Sequence, residues 1–535
     1  MSGGPDWRRS RPISSDWYYT ASVVLSPYDL GGATVSVPPS CLGPLDPIAP
    51  PRLPDHRPAR PRLVRTYAAV VGVPVLALFA ILRIGEALVP DARSVFAGAR
   101  DATPPGPAAA APDLALLLAQ IIVILVAARV AGAIVRRLGQ PQVVGEMLAG
   151  IALGPSLLGA HAPALAGALF PPRSLGFLSA LSQVGLLVFM FLVGLELDLK
   201  VIRERGRAAI VISHASIVAP FLLGTALAIV LYPTLSGAQV TFTGFALFMG
   251  AAMSVTAFPV LARILAERRL VRTPMGAVAI ACAAIDDVTA WCILAIVVVI
   301  VRAGGGTASS GGVPLWVTLG GSVAYVMFMV TVGRRMLRGL EVRYERHGRV
   351  TQDMIAVLVL AMLASAWITE RLGVHALFGA FLVGAVSPKT EGLVRALLER
   401  FEDVMVVLLL PLFFAFTGLR TEVALIDGAT GWLQCAVVIA VAVAGKLGGS
   451  AVAARVTGMP WREAAVLGVL MNTRGLMELV ILNVGLDIGV ISRELFAMMV
   501  LMALTTTFMT TPLVAWLHPS PAGAPANARA ATPAR

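Results

Sequence analysis

Apolar runs of about 20 residues recur along almost the whole of this sequence, and that length is what a helix needs to cross the hydrocarbon core of a bilayer. Fourteen spans are read, near 66–84, 113–135, 142–159, 177–199, 208–232, 242–266, 275–301, 314–333, 353–369, 374–387, 403–419, 430–454, 463–485 and 495–517. Inside lipid every backbone polar group must be satisfied within the protein, so only helices or closed barrels cross. These runs are continuous and lack the alternation of barrel strands. With 57% hydrophobic and 13% charged residues, the chain has too little polar surface for a soluble protein of 535 residues. The fold class is an all-α polytopic membrane protein with about 13 core transmembrane helices after one N-terminal helix.

The net charge of +12 could suit a nucleic-acid binder, but its placement follows topology. One set of alternate loops holds twenty basic residues: Arg136, Arg137, Lys200, Arg203, Arg205, Arg207, Arg268, Arg269, Arg272, six arginines from Arg334 to Arg349, Lys389, Arg395, Arg400, Arg455 and Arg462. The opposite set holds eight: Arg83, Arg93, Arg100, Arg173, Arg302, Arg371, Arg420 and Arg493. The positive-inside rule makes the first set cytoplasmic and puts both termini inside, in a plasma (inner) membrane. No nucleic-acid partner is expected.

Residues 1–62 are rich in Pro and Arg without apolar periodicity and read as a disordered tail. Val64-Arg65-Thr66 followed by an apolar run looks like a natural start, so translation is expected to begin near Val64; an intact mass that includes residues 1–63 would refute this. Residues 63–86 read as a retained hydrophobic helix, 87–112 as a linker, 113–518 as the main membrane domain and 519–535 as a short disordered tail. Cys41, Cys282, Cys292 and Cys435 have neither metal spacing nor a disulfide framework. No zinc motif, Walker loop or dinucleotide fingerprint occurs, and no cofactor is expected.

The main domain repeats itself. "FMFLVGLELDL" at 189–199 lies over "FFAFTGLRTEV" at 413–423, an offset of 224. Gly145 and Gly150 match Gly379 and Gly384 at 234, and Thr256 of "SVTAFPVLARIL" matches Thr473 of "MNTRGLMELVIL" at 217. Matching spans lie seven apart, an odd number, so the copies cross the membrane in opposite directions. Inverted repeats are a signature of secondary transporters, whose site lies near the midplane between the copies.

Charge inside spans is where function is expected. Asp286 and Asp287 stand near the centre of the 275–301 span. Helix neighbours project about 100° apart, so one can line a cavity while the other meets a partner on another helix. Carboxylates in a dehydrated setting exchange protons nearer neutral pH and are hard ligands for small cations. Lys446, in "AVAGKLGGS", is the natural partner. Only three of 42 basic residues are lysine, and lysine can lose its proton when buried where arginine effectively cannot. A lysine snorkelling to the interface is the alternative. Ser254 and Thr256 precede Pro259, and the aligned segment carries Asn472, Thr473, Arg474, Gly475 and Glu478; both are candidate discontinuous helices. For Glu478, a local pair with Arg474 one turn earlier is the plain alternative. Glu196 sits near the inner end of its span and is a less certain candidate, as is Glu146; His214 and His375 read as interfacial residues.

The stretches "FMGAAMSVTAFPVLARILAE", "AAIDDVTAW", "FGAFLVGAVSP", "LFFAFTGLRTE", "GKLGG" and "LMNTRGLMELVILNVGLDIGVIS" together resemble monovalent cation:proton antiporters. The nearest branch holds the plant cation/proton exchangers and the Kef-type potassium efflux proteins, and the resemblance covers about 120–517. It implies a core with two crossed, interrupted helices, a separate dimerisation domain and a homodimer. It implies Asp287 as the main ion and proton carboxylate, Asp286 paired with Lys446, and Thr256 beside the site, with no metal beyond the transported cation. An Asp-Asp pair in this family suggests electrogenic exchange. Kef-type and plant members continue into soluble domains, whereas this sequence ends about 18 residues after the last span, so nucleotide or glutathione control through such a domain is not expected. The expected function is exchange of potassium or sodium for protons by alternating access, with an uncoupled potassium efflux channel on the same scaffold as the alternative. An intramembrane aspartyl protease needs two aspartates converging from different helices, which neighbours on one helix cannot provide; the chain is not expected to be an enzyme.

Overall fold

The structure, a computed structural model, describes residues 60–88, 113–196, 206–237, 240–268, 270, 273–304 and 315–518. Residues 1–59 of the expected tail, most of the 87–112 linker and the 519–535 tail lie outside the described residues. The described chain is almost entirely helical. In order the helices are α1 (Arg60–Leu88), α2 (Leu114–Arg137), α3 (Gln142–Leu153), α4 (Pro163–Leu169), α5 (Pro172–Glu196), α6 (Gly206–Leu235), α7 (Phe242–Ser254), α8 (Phe258–Glu267), α9 (Pro274–Gly304) and α10 (Leu315–Phe328). They continue as α11 (Arg334–His347), α12 (Gln352–Arg371), α13 (Ala376–Val386), α14 (Glu391–Val404), α15 (Leu410–Leu419), α16 (Gly428–Val443), α17 (Gly449–Val456), α18 (Trp461–Met471), α19 (Leu476–Asp487) and α20 (Arg493–Leu517).

Local chemistry sets many of these ends. Asp113 caps α2 by accepting from the Ala115 and Leu116 N–H groups at 3.1 and 3.2 Å, and Ser492 caps α20 through Leu495 N–H at 3.1 Å. Gly348, at φ 65°, stops α11. Wide π-type turns join α10 to α11, α14 to α15 and α16 to α17.

Among the described residues nine helices are long and apolar enough to cross a bilayer, or ten if α18 and α19, bent by 44°, count as one span. Fourteen spans were expected, and the difference has a physical cause. The chain over 242–266 is split into α7 and α8 by an extended stretch, α13 is only 11 residues long, and the helix expected over 314–333 runs on through the arginines of α11. The arginines lower hydropathy without breaking the helix, whose Leu337 and Leu340 are buried.

The helices sort into two halves. In one, α2–α5 pack with α12–α15; in the other, α6–α9 pack with α16–α20, and α1 lies on α6 and α7. Glycines let helices of the first half touch backbone to backbone, and they do so twice in the same way. A Cβ at Gly150 would land on the Ala415 carbonyl, and one at Gly384 on the Phe191 carbonyl. A Cβ at Gly418 would meet the Met147 carbonyl, and one at Gly194 the Phe381 carbonyl. At the offsets of 234 and 224 these are equivalent pairs. So are Gly145 against Ala131 and Gly379 against Ser365. The internal repeat is therefore present in the contacts as well as in the letters, with α3 of one copy lying on α15 of the other, and α13 on α5.

Candidate functional site

The two interruptions expected from Ser254–Pro259 and Asn472–Gly475 lie against each other. α7 ends at Ser254, and Val255 is extended at φ −75°, ψ 144°. α18 ends at Met471 and α19 starts after Gly475. The Ala257 N–H donates to the Thr473 carbonyl at 3.0 Å, joining the two unwound stretches. Gly475 passes so close to Val260 and Ala257 that a Cβ would sit 2.9 Å from a Val260 methyl.

Asp286 and Asp287, near the middle of α9, part company at this junction. Asp286 is wholly buried. Ser213 Oγ donates to its Oδ1 at 2.6 Å. Ser216 Oγ (2.5 Å), Thr256 Oγ1 (2.8 Å) and Lys446 Nζ (3.0 Å) donate to its Oδ2. A carboxylate offers about four lone-pair sites, so this one is filled. Asp287 is buried too, yet its Oδ1 has no hydrogen-bond partner among the described residues. The Phe258 backbone N–H, at the start of α8, is directed at the Asp287 carboxylate, where the helix dipole favours negative charge.

Lys446 lies in the π-type turn Ala444–Gly448 and is fully buried. Its ammonium also donates to the Ser254 carbonyl at 2.5 Å and the Ser216 carbonyl at 3.0 Å. Both acceptors are freed by the sequence. Ser254 closes α7, and the helical partner of Ser216 would be residue 220, which is Pro220 and has no N–H. Gly445 and Gly449 press against Pro220 and Ala219, which brings the lysine within reach of α6.

Arg474 closes the rest of the α7 end. Its Nη1 donates to the Ala252 carbonyl at 2.8 Å and its Nη2 to the Met253 carbonyl at 2.5 Å. The same guanidinium forms a buried ion pair with Glu478, the i,i+4 pair allowed for from the sequence. Glu478 Oε1 and Asn472 Oδ1 are buried without partners among the described residues. Thr473 Oγ1 turns back to Leu470, and Ser254 Oγ to Ala251. Glu196 ends α5, exposed, in the half that carries neither aspartate. Glu146 is buried in α3 of that same half, accepting from Gln142 at 2.8 Å. His214 lies on α6 and bonds the Ile210 carbonyl at 2.8 Å, and His375 caps α13.

Ser213 and Ser216 escaped the sequence reading. Their signal is two hydroxyls three residues apart in an apolar run, four residues before a helix-interior proline.

Fold and cluster together define a polytopic helical membrane protein with a buried charged centre between two interrupted helices. Residues 122–517 match the family described as sodium/hydrogen exchanger, transmembrane. The Na+/H+ antiporter NhaS4 of Synechocystis sp. is 45% identical over 410 residues, covering 76% of this chain and 98% of that protein. Cation/H+ antiporter 19 of Arabidopsis thaliana is 42% identical over 77% of this chain, and K+/H+ antiporter 1 of Saccharomyces cerevisiae 34% over 76%. The chain spans about half the length of those last two, 51% and 46%. In fold it is similar to the sodium proton antiporter MjNhaP1 from Methanocaldococcus jannaschii, with a TM-score of 0.53 at 13% identity, covering 75% of this chain and 96% of that one. The chain belongs to the sodium/hydrogen exchanger family.

Proposed function

We propose that this protein is a secondary active transporter that exchanges a monovalent cation, K+ or Na+, for protons by alternating access, with Asp287 as the carboxylate both share. The observation that carries the reading is the contrast between the two aspartates. Asp286 is filled by four donors, while its neighbour presents a buried oxygen with no partner at the junction of two broken helices. A proton on Asp287 and a cation beside it are mutually exclusive, because each neutralises the same charge and occupies the same oxygens. Lys446 balances Asp286 and fixes α7 to α6, and Thr256 ties the site to the second break through its 3.2 Å approach to the Met471 carbonyl. The names of the relatives, which include Na+/H+, K+/H+ and cation/H+ antiporters, support the substrate class. In this reading the two breaks are crossed membrane-spanning helices, the arginine-rich face is cytoplasmic, both termini lie there, and the protein is a homodimer of the inner membrane.

The test is proton movement in acid-loaded proteoliposomes on adding Na+, K+, Rb+ or Li+. Cation-driven proton efflux is expected, and Asp287→Asn should abolish it. Near-normal exchange in a folded Asp287→Asn protein would remove Asp287 from the site.

A further inference from the structure

We infer that Trp291 is the outer gate over Asp287: its indole closes the route to that carboxylate from the outer face by stacking against Phe378 and Phe381 of the opposing half, and it must leave that place for Asp287 to meet the outer solution. The inference rests on the antiport reading and on the topology that makes the arginine-rich side cytoplasmic.

Trp291 stands four residues after Asp287 on α9, so it lies on the same helix face, about 6 Å further along the axis. Because α9 runs from the Arg272 side to the Arg302 side, that displacement is outward. The indole does not stay within its own half. It meets the Phe378 ring edge-on, centroids 5.6 Å apart at 84°, and stacks on Phe381 at 6.4 Å and 24°. Phe378 and Phe381 lie on α13, which the Gly194 and Gly384 contacts hold hard against α5. The wall is therefore fixed, and the part that can move belongs to the half that carries the aspartates.

One detail separates a gate from ordinary packing. Trp291 Nε1–H is buried without a partner among the described residues. Buried indoles usually find an acceptor, and a phenylalanine could fill the same space without leaving a donor stranded. An indole whose N–H is unsatisfied here fits a side chain that is satisfied in another arrangement of the halves. The two ends of the interface also differ. On the outer side Arg420 of α15 reaches α19, pairing with Asp487 at 2.6 Å and donating to Asn483 at 3.0 Å. On the inner side a cleft of about 260 Å³ opens between the halves, lined by Val144, Met147, Val260, Gly475 and Thr507. The structure is thus shut above Asp287 and parted below it.

The experiment compares wild type, Trp291→Ala and Trp291→Phe in oriented proteoliposomes, measuring coupled exchange, cation KM from each face, and cation leak without an opposing proton gradient. Losing two ring contacts should shift the closed-to-open balance about tenfold. Trp291→Ala should therefore lower the KM measured from the outer face relative to the inner one and raise the leak, and Trp291→Phe should restore tightness. A folded Trp291→Ala with wild-type leak and unchanged KM on both faces overturns the gate. If that variant does not fold, Phe378→Ala opens the same gap from the fixed side and is held to the same outcomes. Wild-type vesicles that move no protons on cation addition would instead sink the antiport reading, which separates the two failures.

Discussion

Replacing Lys446 with methionine should destabilise the protein by about 4 kcal/mol, because deleting one partner of a buried ion pair leaves the other charge uncompensated. The magnitude follows from what the ammonium touches. Its three N–H groups serve the Asp286 carboxylate, the Ser216 carbonyl and the Ser254 carbonyl, and neither carbonyl has a helical N–H to fall back on. Three hydroxyls would still bond Asp286, so the loss should fall in the middle of the usual range of roughly 3–5 kcal/mol. Asp286→Asn alone should cost a similar amount by stranding the ammonium. The double variant carries no buried charge, and the hydroxyls can turn to their own helix carbonyls. It should be less destabilised than the sum of the singles by about 2 kcal/mol. Equilibrium unfolding in mixed micelles, followed by circular dichroism as the SDS fraction rises, gives the four free energies of the cycle. Additivity within about 0.5 kcal/mol would show that the two groups are not energetically coupled, and the account of the junction would fail.

Thr256→Val removes a donor to Asp286 and the side-chain link between the two breaks; it should cost about 1–2 kcal/mol in the same assay and slow exchange, with Thr256→Ser restoring both. Gly194→Ala must part α5 from α13 and should lose about 1–3 kcal/mol, whereas Gly448→Ala, with nothing within 4 Å of the added methyl, should be near neutral; equal melting temperatures for the two would contradict the contact geometry. Arg420→Ala frees the outer ends of α15 and α19, and because that pair is partly open to solvent the expected effect is only about a threefold fall in cation KM from the outer face. No change in the ratio of outer to inner KM would show that the pair does not favour the outer-closed arrangement.

The residues that carry charge were legible because the membrane makes charge conspicuous. Two aspartates and a lysine inside runs of alanine, valine and isoleucine need no neighbour to be noticed, and the repeated glycines kept their spacing because backbone contact permits nothing larger. What could not be read were partners that only tertiary approach creates. Ser213 and Ser216 are two unremarkable hydroxyls until Gly445 and Gly449 bring α16 and α17 against α6 and Pro220 frees a carbonyl beneath them. Arg420 counted only as an outside loop charge, since nothing near it in sequence names Asp487 as its partner. Trp291 looked like one more apolar residue. The number of spans was also less legible than their existence, because hydropathy sees composition and not the point at which a helix unwinds.

The break in α7–α8 shows why a transporter would tolerate so costly a feature. An interrupted helix presents a negative carbonyl end and a positive N–H end in the middle of the membrane. Left bare, the carbonyl end of α7 would itself attract a cation, in competition with any carboxylate. Here Lys446 and Arg474 occupy it, taking the Ser254, Ala252 and Met253 carbonyls between them. The N–H end of α8 faces Asp287. Two fixed cations thus cancel the stray acceptors, and Asp286, filled by four donors, balances one of them. What remains open is a single carboxylate oxygen. That places exchange on one residue by elimination of its competitors, and it explains why the neighbouring aspartate is kept: it is the charge that lets a buried lysine hold the broken helix in place.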